Sequence, residues 1–349
     1  VAISPDGDVF ASIGGTGATI RLWSARTGEM MRELSLEAGG FRAIAFSPTG
    51  GHLASGSDDG LVRIWEPLKN DEPIRQMEHG PPVAFVRFSP DGKLLLSSGI
   101  SGAVRLWDGE SKTPVAEIPA GRDGARDARF SPDGKTVAVA SGDHRVRLWD
   151  VETGSIVGQP IPNPSVESLA FSDDGRTIAT GSSGGVIRIW SAADRTLRHK
   201  HESVMGRIDD IEFLKESPLL AILASDGRLH LYDTDRQCEI HSLKTHSLSE
   251  GALARSDNGE SLVVGSGDGS VKLLSVDGVT QPNVLWHQAH VRRVAFLPEG
   301  RQIVSASGDG ALRTWDVPTG ESRQLSEATG QEIIRLSVQR PGNLIAVAG

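Results

Sequence analysis

Three side chains able to carry out acyl-transfer chemistry, His287, Ser305 and Asp309, fall within 23 residues of one another. Such a set hydrolyses acyl bonds when the Ser is exposed, the His takes its proton and hydrogen-bond donors face the developing oxyanion. Gly181–Gly185, GSSGG, matches the nucleophile-elbow pattern around Ser183. Gly14–Thr19, GGTGAT, has the glycine content of a phosphate cradle, and recurrent Asp-Gly pairs suggest cation loops.

Each of these chemistries demands an element that the neighbouring sequence does not supply. The elbow requires a helix after the Ser, but VIRIW follows Ser183, a strand pattern. The glycine-rich stretch has neither a following Lys nor a helix. A calcium loop needs alternating carboxylates and a closing Glu. The ten His form no cluster with Cys, so no metal site and no cofactor are expected. Ser305 itself lies in a strand pattern that fits a packed sheet.

The elements are set by a repeat. Val86–Asp108, VRFSPDGKLLLSSGISGAVRLWD, recurs as Ala128–Asp150 and Val294–Asp316. An anchor residue falls at Trp23, Trp65, Trp107, Trp149, Trp190, Tyr232, Leu274 and Trp315, in steps of 41 or 42 residues, and Trp286 alone among the tryptophans is off this grid. Between anchors, short runs rich in Val, Ile and Leu alternate with Pro-Asp-Gly, Asp-Gly and Thr-Gly turns, which predicts four strands per unit.

The in-phase FSPDG turn, SGSxDG turn and VRLWD strand resemble the WD-repeat family over essentially the whole chain. That resemblance implies an all-β fold: a β-propeller of four-stranded antiparallel blades set in a ring about a channel. Eight blades in one domain spanning residues 1–349 are expected, with two surplus strands in a partial ninth unit at Ile333–Gly349. Seven blades with leftover strands is the rival count. In the family a His, a Ser or Thr, an Asp and the Trp form a buried hydrogen-bonded set, which His287, Ser305, Asp309 and Trp315 match. Other units keep it in part: Ser55, Asp59 and Trp65; His79, Ser97 and Trp107, with Ser101 at the Asp place; Asp143 and Trp149, with Val139 for the Ser; Thr180 and Trp190; Asp226 with Tyr232; His246 and Asp268. A device scattered in this way suits stabilisation better than catalysis.

The resemblance implies a non-catalytic scaffold for a protein or peptide partner. Binding through the face with the second-to-third-strand turns would use Arg42, Phe85, Arg126, Glu167, Asp209 and Arg292 before the first strands, and Asp58, His144 and Asp226 at or beside the turns. Phe85 and Trp286 would be its apolar anchors. The alternative is a propeller enzyme of hydrolase or lactonase type, which would need carboxylates and His converging on the channel. A net charge of −9 and a pI near 5.6 remove the general attraction to nucleic acid or anionic lipid, and no small-molecule substrate is evident. One Cys, Cys238, forms no internal disulfide, which fits a reducing, cytoplasmic setting. Val1 opens inside a repeat, so the chain reads as a segment of a longer protein. The regular FSPDG style resembles propellers of multidomain bacterial proteins that carry a kinase or NTPase effector. The sixth and seventh units, with Tyr232, Leu274 and FLKESP, depart most and are expected to be locally weaker or specialised.

Overall fold

The computed structural model describes residues 2–13, 19–24, 27, 29–36, 39–99, 102–109, 112–121, 123–202, 206–244, 252–256, 258–276, 283–297, 300–309, 311–324, 337–340 and 343–346. Gly14–Ala18 of the glycine-rich stretch, Ser101 and His246 lie outside them. The described residues form strands and no α-helix, hence no helix long and apolar enough to cross a membrane. The strands make eight sheets of at least four strands, one per repeat, which is the eight-bladed β-propeller class and not the seven-bladed one.

The chain divides into two compact units, residues 1–119 with 295–349, and residues 120–294. The first unit holds the first three blades and most of the eighth, the boundary falling within the strand Val291–Phe296. The two strands of the partial ninth repeat, Ser337–Arg340 and Asn343–Ala346, do not start a blade of their own. They extend the first blade to six strands, with Ser337–Arg340 parallel to Ala2–Ile3. The second unit holds the fourth to seventh blades. The outer strand of the fourth is broken into Ser155–Ile156 and Ile161–Pro162, both paired with Arg145–Asp150.

The FSPDG turn recurs because it closes on itself. Ser131 Oγ donates to Asp133 Oδ1 at 2.6 Å and accepts from Thr136 N–H at 2.9 Å, while Asp133 Oδ1 also accepts from Lys135 N–H. The same bonds form around Ser89 and Asp91, Ser172 and Asp174, and Ser256 and Asn258. The Asp of Trp-Asp closes a turn in a similar way. Asp150 and Asp316 each accept from the backbone N–H and hydroxyl of the Thr three residues on, fixing the turn into the outer strand.

The anchors hold successive blades together within each unit. Trp107 packs with Ala45, Val62, Ile64 and Met77 of the second blade, and Trp190 with Ala138, Val146 and Leu148 of the fourth. Tyr232 and Leu274 do the same against the fifth and sixth blades. A large apolar group at this place buries the face that a lone blade would leave in water. The departures at Tyr232 and Leu274 therefore conserve the packing and change only the polar end.

Candidate functional site

In five blades the anchor indole donates to a buried hydroxyl: Trp23 to Ser12, Trp65 to Ser55, Trp107 to Ser97, Trp190 to Thr180 and Trp315 to Ser305, at 2.7–3.1 Å. In the third blade the chain of bonds continues, since His79 Nδ1 lies 2.9 Å from Ser97 Oγ. The Ser97 hydroxyl accepts from the indole and keeps its own proton to donate where Nδ1 of the imidazole is unprotonated. Burial, reinforced by Arg105, pushes the His79 imidazole down to about 4, which keeps it neutral at pH 7.

In the second blade the Asp of the Asp-Gly turn has partners of its own. Asp59 accepts from Ser57 Oγ, Leu61 N–H and the guanidinium of Arg63, which is buried. Burial opposes ionisation, but the bonds from Arg63 and Ser57 prevail and hold Asp59 below the usual carboxylate range. Asp143 likewise pairs with Arg147, and Asp309 with Ser307 Oγ and Ala311 N–H. Ser305 is fully buried with its hydroxyl occupied by Trp315, His287 is buried with its backbone N–H on Gly269 O, and Ser183 sits in a turn followed by the strand Ile187–Ser191. Ser305 is buried and occupied, and Ser183, although exposed, is not followed by the helix that a nucleophile elbow requires.

Where Val139 replaces the hydroxyl residue, Trp149 Nε1 is buried with no hydrogen-bond partner among the described residues. Val139 pairs with Arg147 as Thr180 pairs with Arg188, so Val139→Thr supplies the missing acceptor in the same register. Satisfying a buried donor is worth about 1 kcal/mol. The expected result is a higher urea midpoint for Val139→Thr with an unchanged denaturant slope; a lower midpoint would refute this assignment.

Four of the nine expected partner-facing residues stand at a β-bulge. Register shifts leave Arg42, Arg126, Glu167 and Asp209 as the unpaired extra residue of the first strand in the second, fourth, fifth and sixth blades. In the third blade the extra residue is Ala84, and Phe85 pairs with Ser98, is 5% exposed and lies under the Arg87 guanidinium. Phe85 is therefore a core residue and not an apolar anchor, whereas Trp286 is 56% exposed.

Arg42 pairs with Asp58, and both are partly exposed. Arg126 is exposed, and Glu167 and Arg292 are half-buried. The carboxyls of Asp209 and Asp226 turn inward, the first to Arg207 Nε at 2.8 Å, the second to Arg228 N–H and His230 Nε2 at 2.9 and 3.0 Å. His144 is exposed at φ 66°, where other repeats place Gly; its carbonyl accepts from Asn163 N–H and its Nδ1 from Ser165 N–H.

The residues 120–294 also hold a charged group that the motifs did not reveal. Asp127 accepts from Arg129 Nε at 3.2 Å and from Leu169 N–H of the next blade. Burial pushes the Asp210 carboxyl up to about 7, with Arg129 opposing the rise and Glu212 and Asp127 adding to it. Arg255, 3% exposed, forks onto Asp173 and reaches Glu212 with its Nε. Carboxylates thus gather on the first strands, but guanidinium groups are interleaved with them, and no group of three His, Cys, Asp or Glu among the described residues could hold a metal. Arg255 was detectable in the sequence, for it stands where Phe46, Phe88, Phe130, Phe171, Phe213 and Phe296 stand in other repeats.

Eight blades of at least four strands, five of them anchored by an indole-to-hydroxyl bond, define a WD-repeat β-propeller. The chain belongs to the family described as IFT122 first beta-propeller, which matches residues 74–316, and residues 29–66 also match the WD domain, G-beta repeat. Among curated relatives, it is 38% identical over 65 residues to Periodic tryptophan protein 2 homolog of Neurospora crassa, covering 19% of this chain and 7% of that protein. It is 49% identical over 53 residues to U3 small nucleolar RNA-associated protein 21 of Saccharomyces cerevisiae, covering 14% and 6%. It is 31% identical over 105 residues to human WD repeat-containing protein 36, covering 29% and 11%. The matched part is thus a small fraction of each relative. The computationally designed Ika8 protein shares the fold, with a TM-score of 0.78, 21% identity and coverage of 90% of this chain and 95% of that one.

Proposed function

We propose that this chain is a non-catalytic docking module for a protein or peptide partner, working in the cytoplasm and joined in its parent polypeptide to an effector domain of the kind found in multidomain bacterial proteins. The bulges carry this reading. A bulge costs a ladder hydrogen bond and re-aims one side chain, and four blades place a charged residue there, of which Arg42, Arg126 and Glu167 keep some exposure. Charged positions re-aimed by repeated backbone irregularity suit recognition of a partner better than packing. The burial of Ser305 and the pairing of the first-strand carboxylates with Arg speak against hydrolysis. A lone exposed thiol at Cys238 accords with a reducing compartment.

The test is affinity capture followed by mass spectrometry, comparing the native chain with an Arg42→Ala/Arg126→Ala/Arg292→Ala variant of equal thermal midpoint. Partners held by the native chain and lost by the variant are expected. Equal recovery by both would refute the assignment of the bulge positions, and a parent reading frame containing only propeller would refute the effector.

A further inference from the structure

A cavity of about 410 Å³ opens between the fourth and fifth blades, beside their first-to-second-strand turns. Its floor is apolar, made by Leu148, Val157, Phe171 and Ala192, and the carboxylates of Asp133 and Asp174 stand at its rim. Two local departures from the repeat create it. The outer strand of the fourth blade breaks after Ile156, where Gly158 adopts φ 68° and the Arg195 guanidinium packs so close that a Cβ would meet it at 2.5 Å. Ala192 also stands where the fourth, seventh and eighth repeats carry Val151, Val276 and Val317, which removes two methyl groups from the floor.

We propose that this cavity is a second docking site, for a basic peptide segment that lays an aliphatic side chain on the floor and sets a Lys or Arg between Asp133 and Asp174. The occupant follows from charge and shape together. Each carboxylate spends Oδ1 on its own turn, through Ser131 and Lys135 N–H or Ser172 and Arg176 N–H. Their hydroxyl partners hold both groups below the usual carboxylate range, so both are ionised at neutral pH. The cations beside them are Lys135, which is exposed, and Arg176, whose Nε is 4.0 Å from Asp174 and whose side chain is 83% exposed. The third carboxylate of the cavity, Asp173, is engaged by Arg255. A phosphate or acidic peptide would be repelled, whereas an aliphatic stem with a cationic head matches both surfaces.

The test is fluorescence anisotropy of a labelled hexapeptide of alternating Lys and Leu, with Glu-Leu and Lys-Ser hexapeptides for comparison. The Lys-Leu peptide is expected to bind, and to lose about tenfold in affinity with Asp133→Asn/Asp174→Asn. These changes preserve the turns, because Asn258 makes the same bonds in the seventh blade. Ala192→Val, a residue that three other blades carry at this place, is expected to weaken it about fivefold by filling the floor. Glu72→Gln/Glu78→Gln, on the second blade, and Arg126→Ala should leave it unchanged, which separates this site from the bulge positions. Absence of binding at millimolar peptide, equal binding of the Glu-Leu peptide, or indifference to both cavity variants would overturn the proposal.

Discussion

Gly60→Ala should cost this protein about 3–5 kcal/mol of stability, several times the loss expected at a glycine with the same backbone angle and open surroundings. Gly60 closes the Asp-Gly turn of the second blade at φ 77°, a region that penalises an L side chain by about 1–2 kcal/mol. That alone would be modest. A Cβ here would also sit 2.0 Å from the carbonyl oxygen of Gly80 and 2.8 Å from its carbonyl carbon, so backbone must move. The segment displaced is the lead-in to the third blade, bound to Gly60 O by His79 N–H at 2.8 Å and Gly80 N–H at 3.1 Å. Moving it pulls His79 from Ser97 and loosens the acceptor of Trp107. Gly51, at φ 75° with nothing within 4 Å of a built Cβ, is the control: Gly51→Ala carries only the conformational term. Denaturant midpoints of the two variants decide the matter, and similar losses would show that the close approach contributes nothing. Gly269 repeats the arrangement in the seventh blade, where its carbonyl accepts from His287 N–H and a Cβ would meet His287 O at 2.8 Å. His144 shows that the requirement is local, because the lead-in there runs through Asn163 and tolerates a side chain.

The repeat was legible because its signals are chemical necessities that recur in phase. A large side chain every 41 or 42 residues, an indole in six of eight repeats, marks the group that buries each blade face, and Ser-Pro-Asp-Gly marks a turn that satisfies its own donors. What the sequence misplaced depends on one-residue register. Phe85 sits one place after the bulge and not in it, and in a strand a single step exchanges the two faces, so the residue read as a rim contact is buried. The motif also leaves out two neighbours of the Asp in the Asp-Gly turn, a second Ser and an Arg, seen in Ser57, Asp59 and Arg63. The charged group of the first strands was out of reach for another reason: Arg255 finds its partners 43 and 82 residues earlier, and nothing in a local pattern pairs residues at that range.

Arg255 is where that long-range pairing can be measured. The repeat calls for Phe there, and the position is buried, so the guanidinium is retained against the full cost of removing it from water. Its Nη1 and Nη2 meet Asp173 at 3.3 and 2.9 Å, its Nε meets Glu212 at 3.1 Å, and Asp173 accepts in addition from Glu216 N–H. One side chain of the seventh blade thereby binds the turn of the fifth and the first strand of the sixth. Arg255→Ala removes the guanidinium that two partly buried carboxylates share and is expected to destabilise by about 3–5 kcal/mol. Arg255→Phe should do little better, although it restores the residue the repeat favours, because the loss comes from the stranded charges and not from the shape of the site. The decisive comparison is Arg255→Phe/Asp173→Ala/Glu212→Ala. Alanine already occupies the Glu212 place in Ala45, Ala170, Ala254 and Ala295, so the triple variant removes the orphaned charges without asking for a new backbone. Its denaturant midpoint should return to within about 1 kcal/mol of the native chain, as replacement of a buried ion pair by apolar groups is often neutral. If the triple variant is as unstable as Arg255→Phe alone, the guanidinium acts through its packing and the three-blade link carries no electrostatic coupling.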